Sequence, residues 1–77
     1  MHPAAQQANL AAALRLITEA TDPARVRGCM AYAFGYIDAL TDAGLLDKAE
    51  ADRLQAAAQD RRDKRLIDLG ADPVPAG

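Results

Sequence analysis

The sequence predicts an all-α protein, in which residues 1–70 form a small three-helix domain and residues 71–77 form a disordered tail. Two observations predict this fold. Apolar residues recur at helical spacing in three segments, and a proline or a glycine marks each boundary between them. The connection between the second and third segments is short, which predicts that those two helices form an antiparallel hairpin. A chain of 77 residues makes one domain with a marginal core, which association with another protein would stabilise.

The first helix is predicted from about Ala4 to Ala20. Pro3 suits the first helical position, where its missing N–H leaves no hydrogen bond unmade. One apolar stripe follows the helix and consists of Leu10, Leu14 and Ile17. The sequence TDP over residues 21–23 then ends the helix, because the residue before a proline is disfavoured in the α conformation.

The second helix is predicted from Pro23 to about Ala43, with Asp22 as its N-terminal cap. Its main apolar stripe consists of Val26, Met30, Ala33, Ile37 and Leu40, with Cys29 and Tyr36 beside it. The opposite face carries small, uncharged residues, namely Gly28, Ala31, Gly35 and Ala39. A helix with little charge on either face is normally buried on more than one side. Because an interior glycine costs ~1 kcal/mol relative to alanine, close approach of another backbone is expected there.

The clearest local signal is the turn after the second helix. Gly44 suits the left-handed position that follows a helix end, and Leu45 is then expected to pack back onto Leu40. Asp47 and Glu50 have the spacing of a capping box, which predicts the start of a third helix.

The third helix is predicted from Lys48 to about Leu69. The residues expected to face the hairpin partner are Ala51, Leu54, Ala57 and Ala58. A charged run over residues 60–65 follows, and then apolar character returns at Leu66, Ile67 and Leu69. Gly70 ends the helix.

The residue types present argue against an enzyme. Serine is absent, Cys29 is the only thiol, and His2, the only histidine, lies at the N-terminus. No nucleophile therefore has a base predicted beside it, and Cys29 is interpreted as a small hydrophobic core residue. Clustered zinc ligands are missing, and the acidic residues 47–52 lack the glycine of a calcium loop. We expect no catalytic residue, no metal site and no cofactor.

Three aromatic residues lie close together in the second helix, Tyr32, Phe34 and Tyr36. In one interpretation they seal the gap between the first two helices. In the other they form a partner-binding site with Gly28 and Gly35, because tyrosine is enriched among residues that carry binding energy. One helix cannot point three aromatics and an aliphatic stripe into one small core, so both interpretations stay open.

Antiparallel pairing predicts that charges separate along the hairpin. The end away from the turn gathers Arg25, Arg27, Arg61, Arg62, Lys64 and Arg65, which we call the basic cluster. The turn end gathers Asp38, Asp42, Asp47, Glu50 and Asp52. The basic cluster could contact phosphates or an acidic partner. It could equally stabilise the fold, since acidic residues lie among these cations and cations suit a helix C-terminus.

The composition predicts a cytoplasmic protein. A net charge of −2 gives no general attraction to nucleic acid or to a membrane. The N-terminal segment lacks the basic start and long apolar block of a secretory signal. The uncharged run over residues 28–37 is too short to span a bilayer. Arginine outnumbers lysine seven to two and alanine is abundant, which indicates a GC-rich bacterial gene.

Residues 36–54, YIDALTDAGLLDKAEADRL, resemble the short helical hairpins of small bacterial, phage and plasmid proteins. The resemblance implies an accessory protein that docks on a larger complex and sometimes inhibits it. We therefore predict a non-enzymatic interaction module, an adaptor or a stoichiometric inhibitor, whose partner is another protein. Alternatives are a dimeric helical hairpin that binds nucleic acid through Arg61–Arg65, and a structural homo-oligomer. A homodimer would cover an apolar strip that includes Tyr32 or Phe34.

Overall fold

The computed structural model describes the backbone over residues 3–71 and the side chains over residues 8–71. Within this part the chain forms three α-helices and no β-strand: α1 (Pro3–Glu19), α2 (Pro23–Asp42) and α3 (Lys48–Asp68). The predicted all-α fold and the hairpin of α2 with α3 are confirmed. His2 and the predicted tail from residue 72 onward lie outside the described residues.

Aspartate side chains begin α2 and α3 as predicted. The Oδ1 atom of Asp22 accepts a hydrogen bond from the backbone N–H of Arg25 at 2.8 Å, and Pro23 occupies the first position of the helix. The Oδ1 atom of Asp47 accepts from the backbone N–H of Glu50, also at 2.8 Å. Each carboxylate satisfies one backbone donor that would otherwise have no partner in the first helical turn.

The ends of α2 and α3 have the same geometry. Gly44 has a φ of 77°, and the N–H of Leu45 donates to the carbonyl oxygen of Leu40 at 2.9 Å. Gly70 also has a φ of 77°, and the N–H of Ala71 donates to the carbonyl oxygen of Leu66 at 2.8 Å. This is the Schellman pattern, which needs a left-handed residue after the helix. Ala71, assigned to the tail by the sequence, thus takes part in the end of α3.

The side-chain contact predicted at the first of these turns is wrong. Leu45 is 50% exposed, and Leu46 packs against the apolar cluster that contains Leu40. The backbone hydrogen bond of Leu45 brings its main chain back to α2, but its side chain points outward. Leu46, the next residue along the chain, faces the core instead.

The core consists of two apolar clusters that lie between the three helices. The larger cluster contains Ala13, Leu14, Ile17, Ala20, Val26, Met30, Ala33, Ala58 and Leu66. The smaller one, nearer the turn, contains Leu10, Ile37, Leu40 and Ala51. All the residues of the predicted apolar stripes of α1 and α2 are buried. α2 packs along both other helices, whereas α1 and α3 contact each other less extensively.

One packing prediction is wrong, and a second is not met within the described residues. Ala57 is exposed and does not face α2, because each residue turns the helix by about 100° and so carries it away from buried Ala58. Gly28 and Gly35 are also exposed, and a Cβ atom built on either would meet nothing within 4 Å. Both neighbours of α2 lie on its inner side, so no backbone within residues 3–71 approaches these glycines.

Candidate interaction surface

The outer face of α2 is a surface that the described residues leave uncovered and that carries little charge. We define its central part by five exposed residues, Gly28, Ala31, Tyr32, Gly35 and Ala39; Ala24 and Asp42 are exposed at its two ends. They recur at spacings of three, four and seven residues, so they share one side of the helix. At 1.5 Å per residue this central part is about 16 Å long. It offers a shallow, narrow strip on which a second helix could lie.

Gly28 and Gly35 lower the stability of α2 without a packing benefit among the residues that the structure describes. Glycine in a helix interior costs about 0.5–1 kcal/mol relative to alanine, since the unfolded chain has more conformations to lose. At neither position would an alanine Cβ atom touch another atom within 4 Å. The packing of the described helices therefore does not require glycine at either position.

The three aromatic residues have different environments. Phe34 is half-buried against the larger core cluster, and Tyr36 is half-buried beside the smaller one. Tyr32 is 56% exposed, and its ring centroid lies 6.3 Å from that of Tyr36 at a tilt of 33°. Phe34 and Tyr36 thus contribute to the core, and Tyr32 presents an aromatic ring at the edge of the outer face.

Two oppositely charged residues border the outer face. Asp38 is exposed, and its Oδ1 atom accepts a hydrogen bond from Nε2 of Gln55 on α3 at 3.3 Å, which places it on the side towards α3. Arg27 is also exposed and lies eleven residues earlier, about three helical turns, so it occupies the same edge. The charge separation predicted from the sequence assigns Arg27 to the basic cluster and Asp38 to the acidic turn end. Their spacing was the signal that links them.

Two members of the basic cluster attach α3 to the end of α1. The Nε atom of Arg65 donates to the carbonyl oxygen of Ala20 at 2.7 Å, and Arg61 donates to Oγ1 of Thr18 at 3.2 Å. Ala20 immediately follows α1, so the Arg65 guanidinium meets one of the carbonyl groups that a helix end leaves without a partner. These contacts indicate a structural role for both arginines.

Three other members form ion pairs with neighbours on their own helix or its cap. Arg62 pairs with Asp63 at 2.9 Å, Lys64 with Asp60 at 2.9 Å and Arg25 with Asp22 at 3.7 Å. The exposed pairs of Lys64 with Asp60 and of Arg25 with Asp22 contribute roughly 0–1 kcal/mol each. The pairing dilutes the positive field and favours the stabilising interpretation over phosphate contact. Within residues 8–71, Arg27 alone of the six makes no ion pair or side-chain hydrogen bond.

Among the described residues, grooves between the helices include two that were not foreseen from the sequence. The larger, about 240 Å³, lies between α1 and α3 and is lined by Leu10, Ala11, Leu14, Leu46, Glu50, Arg53 and Leu54. The smaller, about 180 Å³, lies between α1 and α2 and is lined by Leu16, Glu19, Ala20, Thr21, Arg25 and Cys29. The larger groove combines residues distant in sequence, whereas the smaller one spans the turn between α1 and α2. Cys29 is half-buried and packs against the larger core cluster.

Searches of the described residues for other kinds of site give two negative findings. No group of three or more His, Cys, Asp and Glu side chains is placed to hold a metal ion. None of the three helices is long and apolar enough to cross a membrane. No family model, curated protein or solved structure matches the chain significantly. We therefore argue function from the molecular surface.

Proposed function

We propose that the protein is a small non-enzymatic interaction module, an adaptor or a stoichiometric inhibitor, which docks a helix of its partner on the outer face of α2. The observation that carries this proposal is the pair of exposed glycines in the middle of α2. Gly28 and Gly35 cost stability, and nothing in the described chain packs against them. A partner backbone that approaches this face closely would explain both glycines.

Helix-to-helix docking suits the dimensions and chemistry of the face. The distance between two packed helices depends on the side chains at their contact, and small residues allow the closest approach. Gly28, Ala31 and Gly35 provide a flat centre. Tyr32 provides a large exposed ring at its edge, and tyrosine is among the residues that most often dominate binding energy. An amphipathic partner helix would bury its apolar stripe here.

The experiment compares capture by the full chain and two matched variants in an extract of the native host. Gly35→Leu places a bulky side chain at the centre of the outer face. Ala57→Leu adds the same side chain at an exposed site on α3, outside the proposed interface. We expect the parent and Ala57→Leu to retain the same specific protein, as identified by mass spectrometry, and Gly35→Leu to lose it.

The fold is checked by circular dichroism. Leucine is a better helix former than glycine, so lost capture by Gly35→Leu would not come from unfolding. Equal retention by all three proteins would show that the partner binds elsewhere. The absence of any retained protein would contradict the proposed function.

A further inference from the structure

We propose that the outer face of α2 also binds the same face of a second copy of this chain, in an antiparallel arrangement with two reciprocal ion pairs between Arg27 and Asp38. The inference rests on the proposed function, because it uses the same docking face. It adds a form of regulation, since a copy bound in this way hides its face from any other partner.

The positions of two opposite charges favour a second copy of this chain as the occupant, with its α2 antiparallel to the first. Arg27 and Asp38 lie on the same edge of the outer face, the one towards α3. A two-fold axis between antiparallel helices places this edge of one copy beside the same edge of the other. With the axis beside Tyr32 and Ala33, midway between the two charges, Arg27 of each copy meets Asp38 of the other. A parallel two-fold arrangement would instead place this edge of each copy beside the opposite edge of the other, so Arg27 and Asp38 would not meet their counterparts.

The two-fold axis also brings small residues together. Ala31 and Gly35 lie on either side of its position, so each would oppose the other across the interface. The Tyr32 rings of the two copies would lie close to the axis, on the edge away from Arg27. Two-fold interfaces are self-complementary and are the commonest kind in homo-oligomers. The flat centre, the aromatic edge and the charged edge of the outer face are each self-complementary under this two-fold axis.

The side chains of Arg27 and Asp38 are both available for ion pairs with a second copy. Arg27 makes no ion pair or side-chain hydrogen bond within residues 8–71. The only bond described for Asp38 is the 3.3 Å contact with Gln55, which leaves carboxylate lone pairs unused. Arg27 is exposed and has no acidic partner among the described residues. An acidic partner side chain is therefore favourable at this position.

The size of the face predicts a weak dimer. α2 has 20 residues; at 1.5 Å per residue it is about 30 Å long, and a helix is about 10 Å wide. A stable interface buries about 800 Å² on each partner, more than one such helix face provides. We expect dissociation in the micromolar range, which lets another partner displace the second copy.

Charge reversal provides the test. The variants Arg27→Glu and Asp38→Arg each place like charges together at both contacts of their own homodimer. An equal mixture of the two restores opposite charges at both contacts, and so does the double variant Arg27→Glu/Asp38→Arg. Only the antiparallel arrangement predicts this pattern of rescue. Arg53→Glu, an equal charge change at an exposed site on α3, is the control.

Masses are measured by sedimentation equilibrium at low salt, from about 5 to about 500 µM chain. The parent, the control, the double variant and the mixture are expected to approach the dimer mass as concentration rises. Each single variant is expected to dissociate at least about tenfold more readily. Thermal melts establish that every variant is folded.

Two outcomes would overturn the inference. A parent that stays monomeric at every concentration would exclude the dimer, while the capture experiment with Gly35→Leu would still decide the proposed function. A dimer that single charge reversals do not weaken, or that the mixture does not restore, would have a different interface.

Discussion

Two pairs of glycines in this molecule have opposite relations to the fold. Gly44 and Gly70 follow α2 and α3 with a φ of 77°, where an L-residue is strained. Gly28 and Gly35 lie inside α2 and have open space around them. The first pair provides a conformation that the chain needs, whereas the second weakens a helix that every other residue type except proline would strengthen. A helix-interior glycine that the packing does not require therefore indicates a candidate binding surface around it.

Replacement of Gly44 by valine is expected to have the largest effect. A β-branched residue is strongly disfavoured at positive φ, so Gly44→Val is expected to destabilise the protein by at least ~1 kcal/mol. Urea unfolding followed by circular dichroism measures the loss. Gly28→Val is the control, since valine is a slightly better helix former than glycine and has space there. Similar stability of parent and Gly44→Val would mean that Gly44 is not left-handed.

Gly70→Ala is expected to have a smaller effect of the same sign. Alanine lacks the branched Cβ, so the strain is about 1 kcal/mol. The change also weakens the hydrogen bond from Ala71 to Leu66, which closes the end of α3 beside the larger core cluster. A fall in melting temperature of a few degrees is expected. A rise would show that α3 ends differently.

Gly28→Ala and Gly35→Ala are expected to raise the stability of the monomer, and their effects are expected to be the smallest of the series. Each is expected to stabilise the monomer by about 0.5–1 kcal/mol, because alanine has the higher helix propensity and meets no neighbour. The positions are two turns apart, so the gains are expected to add in the double variant. Denaturant unfolding at low micromolar concentration, where the proposed dimer is expected to be dissociated, measures the gain. Destabilisation by either change would reveal a contact that requires glycine within the monomer.

The contrast between Gly44 and the two glycines inside α2 shows how much of the outer face the sequence could predict. Gly44 was identified from its local setting, and Gly28 and Gly35 were recognised as costly. Their exposure was not predicted, because burial on a second side of α2 depends on where α1 and α3 lie. Tyr32 likewise could not be told apart from Tyr36 without knowing which edge of α2 each helix covers.

The sequence by itself determined the three helices, their ends and the inner faces of α1 and α2. Those features depend on interactions within about four residues, such as the cap at Asp22 or the turn at Gly44, and on apolar periodicity. Tertiary structure decided which surfaces remain open and which charges have partners. The contacts of Arg61 with Thr18 and of Arg65 with Ala20 join residues more than forty positions apart. No local pattern encodes such contacts, because they arise only when buried stripes bring the helices together.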